Sequence, residues 1–285
     1  MTTGMLPYQL LDSGEFSRLE MVGPYRLVRP CPQAVWPRQL PAAEWTRADA
    51  VYHRSETGGG NWEYHAAMAP SWHAVLHGMP WQIKPTGFGH LGIFPEQEDN
   101  WAWLRGQGKV LGADAKALNL FAYTGGSTLA LAHGGCKVTH LDAARGVVSW
   151  ARDNAKLQAV PDSSVQWIVE DALKFCQRET RRARRYQGIV LDPPSFGRGP
   201  GGEMWKIEED LLELLKVCAV LLDQERPGFV LLSCHSAGFS PLVLENLLTS
   251  VLGKTASLVS GEMSTPEAAG GRVLPSGCFA RWQRN

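Results

Sequence analysis

Between residues 117 and 252 the chain switches at short, regular intervals between two hydrophobic periodicities, and that alternation leaves few folds open. "ALNLFAY" reads as a buried strand, "STLALAHGG" as a helix closed by glycine and "CKVTHLD" as a second strand. "ARGVVSWARDNAKLQ" has apolar residues at 148, 151 and 155, the spacing of one helix face. "VQWIVE" follows as a strand and "DALKFCQRETRRARR" as a helix. Then come the strand "GIVLD", a leucine-rich helix over 208–222, the strand "GFVLLSC", the helix "PLVLENLLTSVL" and two closing strands near 257–263 and 278–282. Strands and helices in strict succession predict an α/β fold, a doubly wound, mostly parallel sheet with helices on both faces. Ligands of such sheets collect at the carboxyl ends of the strands, where the strand order reverses.

The first third has a different texture. Pieces such as "PYRLVRP", "NWEYHAAM" and "MPWQIKPTGF" are short, aromatic and broken by proline and glycine, and seven of the eleven tryptophans precede residue 104. These features predict a smaller N-terminal β-rich domain over 1–94, a candidate substrate-binding unit, followed by the α/β domain over 95–285.

Lys and Arg together number 28, as do Asp and Glu, so nucleic acid would have to be met by a local patch. The densest is "RETRRARR", with Arg178, Arg181, Arg182, Arg184 and Arg185, which fits phosphate contact or the solvated face of a helix. Six cysteines without a C-x-x-C pair fit reduced, buried thiols. His73 and His77 stand four apart with no third ligand nearby, so no metal is expected. No apolar run reaches membrane-span length and no signal sequence is evident, so the expectation is a soluble, cytoplasmic protein.

The strand ends narrow the ligand. After the first strand, Gly125 and Gly126 permit a tight turn, yet G-x-G-x-x-G and the G-x-x-x-x-G-K-[ST] loop are both missing, which disfavours a pyrophosphate or triphosphate. The second strand ends at Asp142, where an acid would hold ribose hydroxyls. Asp171 follows the third, placed to accept from an adenine amino group. The fourth runs into "LDPPSFGRG", where two prolines stop strand and helix alike and form a stiff corner presenting Asp192, carbonyl oxygens and Phe196. The ordered set of four describes a site for S-adenosylmethionine.

From about residue 89 to 282 the chain resembles the S-adenosylmethionine-dependent methyltransferases related to the large-subunit ribosomal RNA enzymes, which make 5-methylcytosine or N7-methylguanine. The resemblance rests on "GHLGIFPEQEDNW", "LNLFAYTGG", "HLDAARGVVSWARDNA", "VEDALKF", "LDPPSFGRG" and "LLSCHS". The first third, including "LLDSGEFSRLEMVGPYRLVRP", resembles the β-rich domain of one branch of that family, not the PUA RNA-binding module of some relatives. The resemblance implies a Rossmann-like methyltransferase sheet and cofactor contacts from Phe94, Pro95 and Gln97, which fold over the ligand. It implies further contacts from Phe121, Tyr123, Thr124, Gly125, Gly126, Ser127, Asp142, Ala143, Asn154, Asp171, Ala172 and Asp192. Where close relatives have arginine after the glutamine, this chain has Glu98.

Several chemistries stay open at this point. For an exocyclic amine, Asp192 and the Pro193 carbonyl would accept its N–H bonds while Phe196 stacks on the base. Guanine N7 needs only orientation. Cytosine C5 needs a thiolate, and Cys234 stands where the resembling cytosine enzymes keep theirs; the alternative role for Cys234 is packing. "GRGPGGEMW" fits a mobile loop, either a lid or a plain connection. The expected function is methylation of an RNA base, with ribosomal RNA favoured. A small-molecule or protein methyltransferase, or a non-catalytic cofactor-binding relative, is the alternative.

Overall fold

The computed structural model describes residues 4–55, 58–254, 257–268 and 270–284. Its contacts divide the chain into two units, 1–96 with 264–276, and 97–263 with 277–285.

In the first unit β1 (Tyr8–Gly14), β2 (Ser17–Val22) and β3 (Tyr25–Pro30) form an antiparallel meander. After the short helix α1 (Ala42–Thr46), β4 (Ala50–Arg54) lies parallel to β3, and β5 (Gly60–Tyr64) completes a five-stranded sheet. β6 (Trp72–Leu76) and β7 (Met79–Ile83) make a separate hairpin. The buried Glu20 carboxylate accepts from Arg29 Nε at 2.6 Å, Arg29 Nη2 at 2.7 Å and Tyr8 OH at 2.9 Å, so this carboxylate is not left unpaired inside. Residues 264–276, expected from the sequence in the α/β domain, belong to this unit. Ala268 N–H donates to the Leu10 carbonyl at 2.7 Å, and Leu274 packs with Leu10, Cys31 and Ala34. A pairing between positions over 250 residues apart leaves no local pattern to read.

The second unit opens with α2 (Glu98–Leu111). It continues through β8 (Lys116–Leu120), α3 (Gly126–His133), β9 (Lys137–Asp142), α4 (Arg145–Leu157), β10 (Val165–Val169), α5 (Ala172–Arg181) and β11 (Gly188–Leu191). A small hairpin of β12 (Phe196–Arg198) and β13 (Met204–Lys206) leads to α6 (Ile207–Leu221), β14 (Gly228–Cys234), α7 (Pro241–Leu252), β15 (Ser257–Pro266) and β16 (Val273–Arg284). The seven strands lie in the order β10-β9-β8-β11-β14-β16-β15. The first five are parallel, and β16 is antiparallel to β14.

The parallel strands read as unbroken apolar runs because both faces are covered. Ala117, Val138, Val190, Phe229 and Leu231 turn to one face with Leu104 of α2 and Leu131 of α3. Leu118, Leu120, Leu141, Ile189, Leu191 and Leu232 turn to the other, against α5, α6 and α7. Three elements differ from expectation. The first strand stops at Leu120, not Tyr123. α5 stops at Arg181, so the arginine run straddles its end. Of the loop expected over 197–205, residues 197–198 and 204–205 pair in the β12–β13 hairpin, with Gly197 opposite Trp205, and 199–203 form the turn between them. No helix among the described residues is long and apolar enough to cross a membrane.

Candidate active site at the carboxyl ends of the strands

The chain runs from β8 outward through β9 to β10 and then returns to β11 on the other side of β8, so the strand order reverses between β8 and β11. Leu120 and Leu191 are register partners there, and the segments beginning at Phe121 and Asp192 leave the sheet side by side.

The turn after β8 is strained. Phe121 has φ 54° and Tyr123 φ 49°, left-handed values that side chains rarely adopt, and Gly125 follows at 98°. Asn154, wholly buried on α4, donates from Nδ2 to the Thr124 carbonyl at 3.0 Å. Asn154 therefore braces the turn and has no exposed surface for a ligand, contrary to its expected contact role. Gly126 is needed for packing: a Cβ there would lie 2.3 Å from the Trp101 indole of α2. Ser127 is half-buried in the first turn of α3, and Thr124 is buried.

At the end of β9, Asp142 accepts from Tyr123 N–H at 3.0 Å through Oδ2 and from Ala144 N–H at 2.9 Å through Oδ1. Burial pushes its carboxyl up from the ordinary value, against the amides of Ala144, Tyr123 and Ala143. Asp171 caps α5, accepting from Lys174 N–H at 2.9 Å through Oδ1, with Ala172 buried behind it. One oxygen of Asp171 thus has a structural duty beyond its expected place in the adenine pocket.

The Asp-Pro-Pro-Ser-Phe corner is fastened at three points. Trp205 Nε1–H donates to the Pro194 carbonyl at 2.7 Å, Ile207 N–H to the Ser195 carbonyl at 3.1 Å, and the Ser195 and Ser236 hydroxyls meet at 2.6 Å. Asp192 Oδ2 accepts from Gln97 Nε2 at 3.1 Å. Gln97 is itself held, donating to Ser233 Oγ at 3.2 Å and accepting from Asn100 Nδ2 at 2.7 Å. Arg281 in turn donates from Nη2 to Asn100 Oδ1 at 2.7 Å. Gln97 is 4% exposed, so it clamps the carboxylate of Asp192, a role different from the expected cofactor contact.

Left over at the corner are three groups. Asp192 Oδ1 has no hydrogen-bond donor in range, and the His235 imidazole, charged only when protonated, stands beside it with Nε2 3.6 Å away. The Pro193 carbonyl has no backbone donor among the described residues. Phe196 is 52% exposed. Burial pushes the Asp192 carboxyl up, but the His235 charge and the polar groups of His235, Ser233 and Gln97 outweigh it and hold the carboxyl below the usual range.

Cys234 does not join them. It is 1% exposed, its Sγ accepts from Ser236 N–H at 3.4 Å, and burial raises its thiol pKa. A buried thiol of raised pKa is a poor nucleophile, which favours the packing role over the nucleophile role. Phe94 and Pro95 lie in the first unit, where the Phe94 ring meets His90 at 5.6 Å and the Pro95 carbonyl lies 3.3 Å from His77 Nε2.

Residues 41–250 match the S-adenosylmethionine-dependent methyltransferase family. The chain belongs to that family. A solved S-adenosylmethionine-dependent methyltransferase from Agrobacterium tumefaciens is 36% identical, with a TM-score of 0.92 over 99% of this chain and 92% of that one. Ribosomal RNA large subunit methyltransferase K/L of Shewanella frigidimarina is 30% identical over 144 residues, 49% of this chain and 19% of that protein. Ribosomal RNA large subunit methyltransferase I of Klebsiella pneumoniae is 30% identical over 121 residues, 42% of this chain and 29% of that protein. The chain spans less than a third of the length of these two curated relatives.

The strand ends fit the cofactor of this methyltransferase family. Asp142 accepts from two amides, which leaves part of its capacity of roughly four lone-pair sites for further donors. Sequence reasoning missed the groups that hold Asp192: Asn100, Arg281 and Ser233, and Gln97 in that capacity. They come from α2, β16 and β14, elements remote in sequence, and no local signal marks them. Trp205 was detectable only as an indole amid glycines.

Proposed function

We propose that the chain transfers a methyl group from S-adenosylmethionine to an amino nitrogen of an RNA base, with ribosomal RNA as the source. The observation that carries this reading is the corner at Asp192, where two acceptors without a hydrogen-bond donor and an exposed aromatic face stand while the groups around them are tied down. Two N–H donors of an exocyclic amine match Asp192 Oδ1 and the Pro193 carbonyl, and a flat base suits Phe196. The similarity to ribosomal RNA large subunit methyltransferases supports the choice of substrate.

Asp142 would hold the ribose hydroxyls. The turn Phe121 to Ser127, with Ala143, Asp171 and Ala172, would line the rest of the cofactor site. The cofactor supplies an electrophilic methyl on a sulfonium that leaves as a neutral thioether. Asp192 and Pro193 fix the amine so that its lone pair points at that methyl, and positioning of this kind accounts for much of the rate. As the N–C bond forms the nitrogen becomes cationic, and its proton passes to Asp192 Oδ1. His235, partly exposed beside it, offers the way to solvent. Cys234 has no step.

The test is methyl transfer to total RNA, with and without ribonuclease, by the parent, Asp192→Asn and Cys234→Ser. Ribonuclease-sensitive transfer should fall on the order of 100-fold or more in Asp192→Asn and stay near parental in Cys234→Ser. Label that resists ribonuclease would move the substrate to a protein or small molecule.

A further inference from the structure

At the opposite edge of the same sheet, where the strands begin, lies a cavity of about 360 Å³ lined by Lys116, Lys137, Arg182, Arg184, Arg185 and Tyr186. Lys116 and Lys137 are the first residues of β8 and β9 and are register partners. Neighbouring strands lie about 4.8 Å apart, so two ammonium groups spring from adjacent positions, an arrangement that costs stability unless an anion joins them. The arginines arrive from the end of α5. Ala183 takes a left-handed φ of 51°, reversing the chain and bringing Arg184 and Arg185 to the strand starts.

The negative end of the α5 dipole accounts for arginines near that helix, but not for lysines on two strands. Nor does an internal carboxylate neutralise the group. Glu179 is the acid of the cavity, and it is engaged by Arg182 at 3.3 Å and Tyr186 OH at 3.1 Å. Among the described residues, Lys116, Lys137, Arg184 and Arg185 have no carboxylate within 4.0 Å. Ser163, Ser164 and Gln166 add neutral hydrogen-bonding groups to the wall.

We propose that this cavity is a phosphate site, separate from the methyl-transfer end, which takes phosphodiester groups of the RNA strand whose base is methylated. Its cations are spread over two strands and a helix end, which suits a chain of phosphates better than one small anion. β8 is five residues long, so the cavity lies about 16 Å from the strand ends and serves nucleotides several positions away from the reacting base. The proposal rests on the RNA reading of the methyl-transfer site.

Lys137→Gln/Arg184→Gln removes two exposed charges and leaves the strands intact. Binding of a labelled single-stranded RNA should weaken about tenfold at 0.1 M salt. The slope of log K against log salt should fall by about 1.4, near 0.7 for each phosphate no longer neutralised. KM for RNA should rise while kcat, S-adenosylmethionine affinity and melting temperature stay parental. A parent that binds RNA, with a double variant of equal affinity and slope, overturns the phosphate site and leaves base methylation standing. A parent that binds no RNA overturns the RNA reading and this site with it.

Discussion

Burial pushes both Asp142 and Asp192 upward, and their neighbours send them apart. Asp142 has backbone amides alone and ends above the ordinary carboxylate value of about 4. Asp192 has His235, Ser233 and Gln97 and ends below it. On acidification Asp142 takes up its proton first. Its ionised form is the one that folding disfavours, so it costs stability above its raised pKa, and that cost disappears as pH falls from there to the ordinary value. Asp192 has the opposite sign: its contribution is present above the unfolded value and is lost as pH falls through the depressed one. Ribose hydroxyls need the ionised Asp142, so KM for S-adenosylmethionine should rise in acid while kcat at saturating cofactor holds. Asp142→Asn should weaken cofactor binding by about 1.5–3 kcal/mol and abolish that pH dependence. Calorimetry across the mildly acidic range checks both, and an unchanged acid limb in Asp142→Asn would remove the residue from the site. The strand-end acids and glycines were legible because each follows an apolar run. The clamp on Asp192 was not, since Gln97, Asn100 and Arg281 acquire their purpose only when α2 and β16 meet β14.

Among elements, α2 escaped the sequence reading because Gly106 and Gly108 interrupt its pattern. Gly108 is where α2 meets α3: a Cβ on it would lie 2.9 Å from the Gly134 Cα. The same crossing places Trp101 over Gly126. Gly126→Ala should therefore destabilise the fold by about 1–3 kcal/mol through overpacking, and Trp101→Leu in the same chain should restore part of the loss. Chemical denaturation measures both, and parental stability in Gly126→Ala would show that α2 can shift freely. The β12–β13 hairpin was hidden for a related reason. Its glycines read as a loop, while the pairing that orders it depends on Trp205 reaching back to Pro194.

At the scale of the molecule, a chain with balanced charge concentrates five cations at the strand starts and its spare acceptors at the strand ends of one sheet. The doubly wound class followed at once from the alternation of strand and helix. The assignment of 264–276 to the first unit depended on pairing across nearly the whole chain and was not legible. The central claim is methylation of an amino nitrogen without a cysteine adduct. Its most direct test is nucleoside mass spectrometry of RNA methylated by the purified chain with isotopically labelled S-adenosylmethionine. Label should appear in a nucleoside methylated on an exocyclic nitrogen, formed equally by Cys234→Ser and lost in Asp192→Asn. Label at a ring carbon, lost in Cys234→Ser, would contradict the central claim.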